Sequence, residues 1–166
     1  MQEIAEACGL TKAGLYHHIK TKEALLLAIM HYGMDLFEER VLAKVSDIAD
    51  PLERLRQTMA HNVALVTEDA SKEVTIILHE HQTLTGTSGQ EINVRKKRYV
   101  RFLESAFREA AERGQIRPVD PTLAAFSFLG MVLWIYKWYR QDGKLTPREV
   151  SDGMIDLFFE GLMPRS

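Results

Sequence analysis

The sequence predicts an all-α protein: two very short helices followed directly by a larger helical body. Three observations carry this expectation. Apolar residues recur at three- and four-residue spacing along nearly the whole chain, and the strict alternation of a half-buried strand is scarce. Helix starts are marked by a cap followed by proline at Asp50-Pro51, Asp120-Pro121 and Thr146-Pro147. Helix stops are marked by Gly9 after Ile4–Cys8 and by Gly114 after Glu109–Arg113.

The elements follow in order. Helices are expected at 1–8, 11–18, 22–46, 51–68, 71–84, 89–113, 121–141 and 147–162. Gly9 ends the first, Thr11 opens the second, and Thr21 caps the third. At the fourth, Asp50 is the cap, Pro51 the first helical residue and Glu53 the N3 carboxylate. The fifth carries the apolar run Val74-Thr75-Ile76-Ile77-Leu78. Ser88 and Glu91 form a capping-box pattern at the sixth, and Thr146 with Glu149 does so at the eighth. No breaker separates the short helices from the body, so the boundary is expected within the third helix, giving units of 1–45 and 46–166.

Bulk properties narrow the class. A chain of 166 residues with 46% apolar content can bury a core, which excludes a disordered chain. A net charge of −2 means that any nucleic-acid binding must come from a local basic surface. The single cysteine, Cys8, allows no internal disulfide and suits a cytoplasmic location. The longest nearly apolar run, Leu123–Tyr136, has 14 residues, too short to span a bilayer. No membrane partner, metal or cofactor is expected, and no nucleophile–base pair or phosphate loop points to an enzyme.

The opening residues, MQEIAEACGLTKAGLYHHI, have the plan of a helix-turn-helix. Leu10, Leu15 and Ile19 face inward, leaving Lys12, Ala13, Gly14, Tyr16, His17 and His18 outside. The interior Gly14 costs about 1 kcal/mol of helix propensity and suits a close backbone approach to another surface. Tyr16 and the helix-start Lys22 offer a hydroxyl and a charge to phosphate. A second helix of this kind can enter the major groove. His17 and His18 are adjacent and point apart, so a metal site is the weaker reading.

The stretch from Ile4 to Met30 resembles the DNA-binding signature of the TetR family of transcriptional regulators. Ile4, Ala5, Gly9, Leu10, Thr11, Leu15, Tyr16, Lys22 and Leu25 stand in register with its pattern. Ile19 replaces the phenylalanine usual there. Family members carry a longer helix before the position of Met1, so the resemblance implies missing residues upstream. It also implies a regulator, in the first instance a repressor, that binds a palindromic double-stranded DNA operator as a homodimer. The expected DNA contacts are Thr11, Lys12, Ala13, Gly14, Tyr16, His17, His18 and Lys22.

In the body, Leu123–Tyr139 is apolar nearly all round and is expected to be buried on several sides. The last helix carries a stripe of Val150, Met154, Leu157, Phe158 and Leu162. In the family the last two helices form the dimer bundle, which assigns that stripe to dimerisation. Polar groups within apolar helices point to a ligand cavity. The expected lining is His61, Asn62, Leu65, Ile76, His79, Arg98, Phe102, Phe128, Met131, Trp134 and Trp138. The run Val94–Arg101 holds five basic residues, with Arg95, Arg98 and Arg101 or Phe102 sharing a side. A solvated face is the plain reading of that run. An arginine row beside an apolar cavity would also suit a small amphipathic effector such as an acyl-CoA. Trp138-Tyr139-Arg140 followed by Asp142-Gly143 further resembles family regulators of acyl-CoA catabolism. The alternative is a helical protein-interaction module with a structural helix-turn-helix and no effector.

Overall fold

A computed structural model describes residues 21–67 and 86–161. Every described regular element is helical. The expected helices at 1–8, 11–18 and 71–84 lie outside the described residues, as do Ile76, His79 and Leu162.

Helix α1 spans Lys22–Phe37, continues through a π turn over Glu38–Leu42, and ends in the short α2, Ala43–Val45. As expected, Thr21 caps α1: its hydroxyl accepts from the Ala24 amide at 3.0 Å. Helix α3 (Pro51–Thr67) starts at the expected Asp50 cap, whose Oδ1 accepts from the Glu53 amide at 2.7 Å. Helix α4 (Gly86–Glu112) ends at Gly114, which adopts a φ of +69°. The Gln115 amide there donates to Ala110 O and the Gly114 amide to Ala111 O, both at 3.0 Å, a Schellman close. Helix α7 (Pro147–Glu160) opens with the expected reciprocal capping box of Thr146 and Glu149.

The expected helix 121–141 is broken. It divides at Trp134 into α5 (Pro121–Leu133) and α6 (Ile135–Trp138). The Lys137 amide reaches Trp134 O, an i to i+3 turn that changes the helical phase. Ile135 is thereby buried, while Trp134 and Trp138 turn outward. The expectation that this segment is buried on several sides is corrected too. Helix α5 buries Ala124, Ala125, Phe128, Leu129 and Val132, but leaves Leu123, Phe126 and Trp134 58–63% exposed.

One core joins the helices. Met59, Val63 and Val66 of α3 meet Tyr99, Leu103 and Phe107 of α4 and Phe128 of α5. The rings of Phe107, Phe128 and Phe158 form a triangle with centroids 5.8–6.2 Å apart. Val150, Met154 and Phe159 pack α7 onto the same core. Among the described residues no helix is long and apolar enough to cross a membrane.

A polar corner ties the start of α3 to the end of α4. Glu109 takes Arg54 and Arg113, and Asp50 takes the Gln115 amide. Hydrogen bonds from the Glu53 amide and Gln115 hold the Asp50 carboxyl below its ordinary pKa, and Arg54 does the same for Glu109. A depressed carboxylate stabilises the fold above its unfolded value and loses that contribution as pH falls through the folded one. Asp50→Asn is therefore expected to lower the urea midpoint at about pH 6 and to close much of that gap at about pH 3. Unfolding curves at both pH values check it; equal gaps would show that the Asp50 carboxylate contributes nothing.

Candidate functional site

A cavity of about 460 Å³ opens between α1, α4 and α5. Met34 and Phe37 of α1, Val100 of α4, and Leu129 and Leu133 of α5 make an apolar wall. The polar lining comes from one stripe of α4: Asn93, Lys96, Lys97, Arg101 and Glu104 recur at three- and four-residue spacing along it. Lys97 and Arg101 are exposed at this rim, while Lys96 is half-buried. Burial pulls the Lys96 ammonium below the ordinary lysine pKa. Glu104 is anchored by the Thr122 hydroxyl, which donates to it at 2.8 Å and ties α4 to the first turn of α5. The site thus combines an apolar interior with a cationic edge, suited to an amphipathic anion.

Tyr99 also lines the cavity and is itself buried. The Asn62 amide nitrogen donates to its hydroxyl and to Thr58 O, each at 2.6 Å. Burial pushes the Tyr99 phenol well above its ordinary pKa, so it stays protonated. Asn62 therefore sits one layer behind the wall and fixes Tyr99 from α3.

The other sequence-predicted lining residues stand elsewhere. Leu65 and Phe128 are core residues. Phe102 stacks on Tyr99 at 6.4 Å, and Met131 is partly buried against the core. His61 is half-buried on α3, where burial and nearby Lys44 lower its pKa. Arg98, Trp134 and Trp138 are exposed. None of these borders the cavity. The expected arginine row also fans out. Successive steps of three residues rotate about 60° each, so Arg95 and Arg101 diverge by about 120°. Arg101 reaches the rim, Arg98 faces solvent, and Arg95 points to α1. The α4 lining was foreshadowed only by the basic run, and Met34 and Phe37 by nothing beyond their apolar spacing.

On α7, Val150 and Met154 are buried against the chain's own core, and Phe158 closes the aromatic triangle. Leu157 alone of the described stripe stands free, at 76% exposure. Of the expected DNA contacts only Lys22 lies within the described residues, exposed in the first turn of α1.

Comparison with known proteins adds the context for these features. Residues 49–162 match the family model described as Tetracyclin repressor-like, C-terminal domain. Residues 1–29 match that of bacterial regulatory proteins, tetR family. The chain belongs to the TetR family. The chain is similar to a crystal structure of AibR in complex with isovaleryl coenzyme A and operator DNA. The two are 65% identical with a TM-score of 0.89, over 94% of this chain and 84% of that one. The apo AibR structure gives 61% identity and a TM-score of 0.86, over 99% and 87%. The HTH-type transcriptional repressor KstR2 of Mycobacterium tuberculosis (strain ATCC 25618 / H37Rv) is 25% identical over 164 residues, 98% of this chain and 82% of that protein. This TetR-family member is thus a transcriptional regulator.

The cavity assignment makes a direct prediction. Val100→Trp places a large ring in the space bordered by Phe37 and Leu129. Binding of anilinonaphthalene sulfonate, an amphipathic anion, is expected to weaken about tenfold, 1.4 kcal/mol. Fluorescence titration checks this, and unchanged affinity in a folded variant places the amphipathic site elsewhere.

Proposed function

We propose that this regulator is a repressor that binds operator DNA as a homodimer and is released by a short-chain acyl-CoA. Residues 1–45 form the reading head and 46–166 the effector and dimer body. The single observation that supports this reading is the coincidence of two facts. The chain is 65% identical to AibR, whose structure holds isovaleryl coenzyme A and operator DNA. Its own cavity carries the chemistry such a molecule needs, an apolar interior behind Lys97 and Arg101. In this reading the acyl group enters between Met34, Phe37, Leu129 and Leu133, and the rim cations meet the phosphates.

Two copies are needed to read a two-fold operator, with recognition helices one turn of DNA apart. Leu123 and Phe126 of α5, Trp134 at its C-terminal cap and Leu157 of α7 are large, apolar and exposed in the single chain. A second copy covering them would remove that surface from water. Val150 and Met154 already pack inside the chain, so Leu157 and the outer side of α5 replace them as the interface. DNA contacts are assigned to Thr11, Lys12, Ala13, Gly14, Tyr16, His17, His18 and Lys22.

Three outcomes are expected. Isovaleryl-CoA should release the protein from a duplex drawn from upstream of its own gene, read by fluorescence anisotropy; no release at saturating ligand sinks the effector assignment. Tyr16→Phe combined with Lys22→Ala should weaken that duplex binding at least about tenfold, with a shallower salt dependence. Undiminished, equally salt-sensitive binding would remove both residues from the contact surface. Leu157→Glu with Trp134→Glu should shift the sedimentation coefficient to that of a monomer while helical circular dichroism persists. A persistent dimer would place the interface elsewhere.

A further inference from the structure

Arg95 stands on α4, one residue before the cavity-lining Lys96. Its guanidinium crosses to α1 and gathers several partners there. Nη2 binds Asp35 Oδ1 at 2.6 Å and Nε binds Glu38 Oε1 at 3.1 Å. Nη1 lies 3.2 Å from His31 Nδ1 and 3.3 Å from the His31 carbonyl. His31 Nε2 in turn faces Glu91 of α4 at 3.4 Å, which closes the set on itself. The Arg95 side chain is mostly covered. Burial works against its charge, but Glu38 and Asp35 outweigh that and hold the pKa above the ordinary arginine value.

The placement of the partners gives the cluster its meaning. Asp35 follows the cavity residue Met34, and Glu38 follows the cavity residue Phe37. The same two turns of α1 thus present apolar side chains to the cavity and carboxylates to Arg95. Glu38 is also the first residue of the π turn. Val41 within that turn and Val45 beyond it are fully buried, so the downstream end is fixed in the core. Upstream, residues 21–24 are exposed and lie within residues 1–29, which match the model of bacterial regulatory proteins, tetR family.

We propose that Arg95 is a positioning residue that latches α1 to α4 and so sets the stance of the reading head for each state of the cavity. None of Arg95, Asp35, Glu38, His31 and Glu91 lines the cavity. Filling the cavity bears on Met34 and Phe37, and the same rigid turns carry Asp35 and Glu38 across the Arg95 fork. A planar guanidinium holds several acceptors only in a fixed geometry, so the contact favours one discrete stance over a graded slide. The start of the π turn, at Glu38, is where the upstream segment can change direction without disturbing Val45. The coupling role rests on the ligand-responsive reading given above; the Arg95 contacts themselves do not.

The test therefore starts without ligand. Full-length Arg95→Ala and Arg95→Lys are compared with the parent by amide hydrogen exchange. Residues 26–38 should exchange several-fold faster in Arg95→Ala and residues 51–67 at the parent rate, with Arg95→Lys between the two. Unchanged exchange over 26–38 overturns the latch, whatever the effector. The second measurement is the ratio of duplex affinities without and with isovaleryl-CoA. Arg95→Ala should reduce that ratio by at least about fivefold while isovaleryl-CoA binding, read by calorimetry, stays within about twofold. A parent-like ratio overturns the coupling role. If the parent itself ignores isovaleryl-CoA, the effector reading fails, and the exchange result alone decides the latch.

Discussion

One long helix has to satisfy neighbours on nearly every side, and that requirement shapes the rest of the molecule. Helix α4 runs 27 residues, about 40 Å. Tyr99, Leu103, Phe107 and Ala110 fill the core, where α4 meets α3 and α5. Another side is polar and borders the cavity. Between these, Arg95 reaches α1. Rotation of α4 by one residue, about 100°, would bury the cationic stripe and expose the core side. The helix is held in phase at both ends. Glu109 and Gly114 fix the C-terminal end, and Arg95 with Glu91 fixes the end nearer its start.

What was legible in the sequence follows from how locally each feature is encoded. Caps are decided within four residues, so Asp50, Asp120, Thr146 and Gly114 announced their ends correctly. The TetR-type run of Ile4–Leu25 was legible for the same reason: spacing within one unit carries it. The break at Trp134 was not. Leu123–Tyr139 is so uniformly apolar that no periodicity marks a change of phase, and only the tertiary need to bury Ile135 reveals it. The π turn leaves no local signal either.

The cavity was illegible for a further reason. Its lining depends on which sides of α1, α4 and α5 meet, and that relation joins segments some sixty residues apart. Polar residues in apolar helices suggested His61 and Asn62, yet the Asn62 amide nitrogen is taken by Thr58 and Tyr99 on the far side of the wall, and its Oδ1 has no hydrogen-bond partner among the described residues. A buried polar group signals a demand for partners, and the chain itself can meet part of that demand. Exposed tryptophans misled in the opposite sense. Trp134 and Trp138 looked like pocket aromatics, but their apolar area lies on the outer surface, continuous in kind with Leu123 and Phe126.

Phe126 connects these surfaces. It borders the cavity beside Leu129 and Leu133 and is also more than half exposed. Met34 and Phe37 likewise border the cavity while the start of α1 lies within residues 1–29, which match the tetR-family regulatory model. The cavity therefore touches the two elements whose positions would fix the separation of two reading heads. A ligand can change that separation only through unequal affinity for the two arrangements. An apolar interior alone discriminates poorly between them, because dispersion contacts fade gradually with displacement. An ion cluster behind the same wall changes more abruptly, since the Arg95 fork either meets Asp35 and Glu38 or leaves charge partly covered and unpaired. In the proposed latch, the packing would supply the push and the charge geometry would make the response closer to all-or-none.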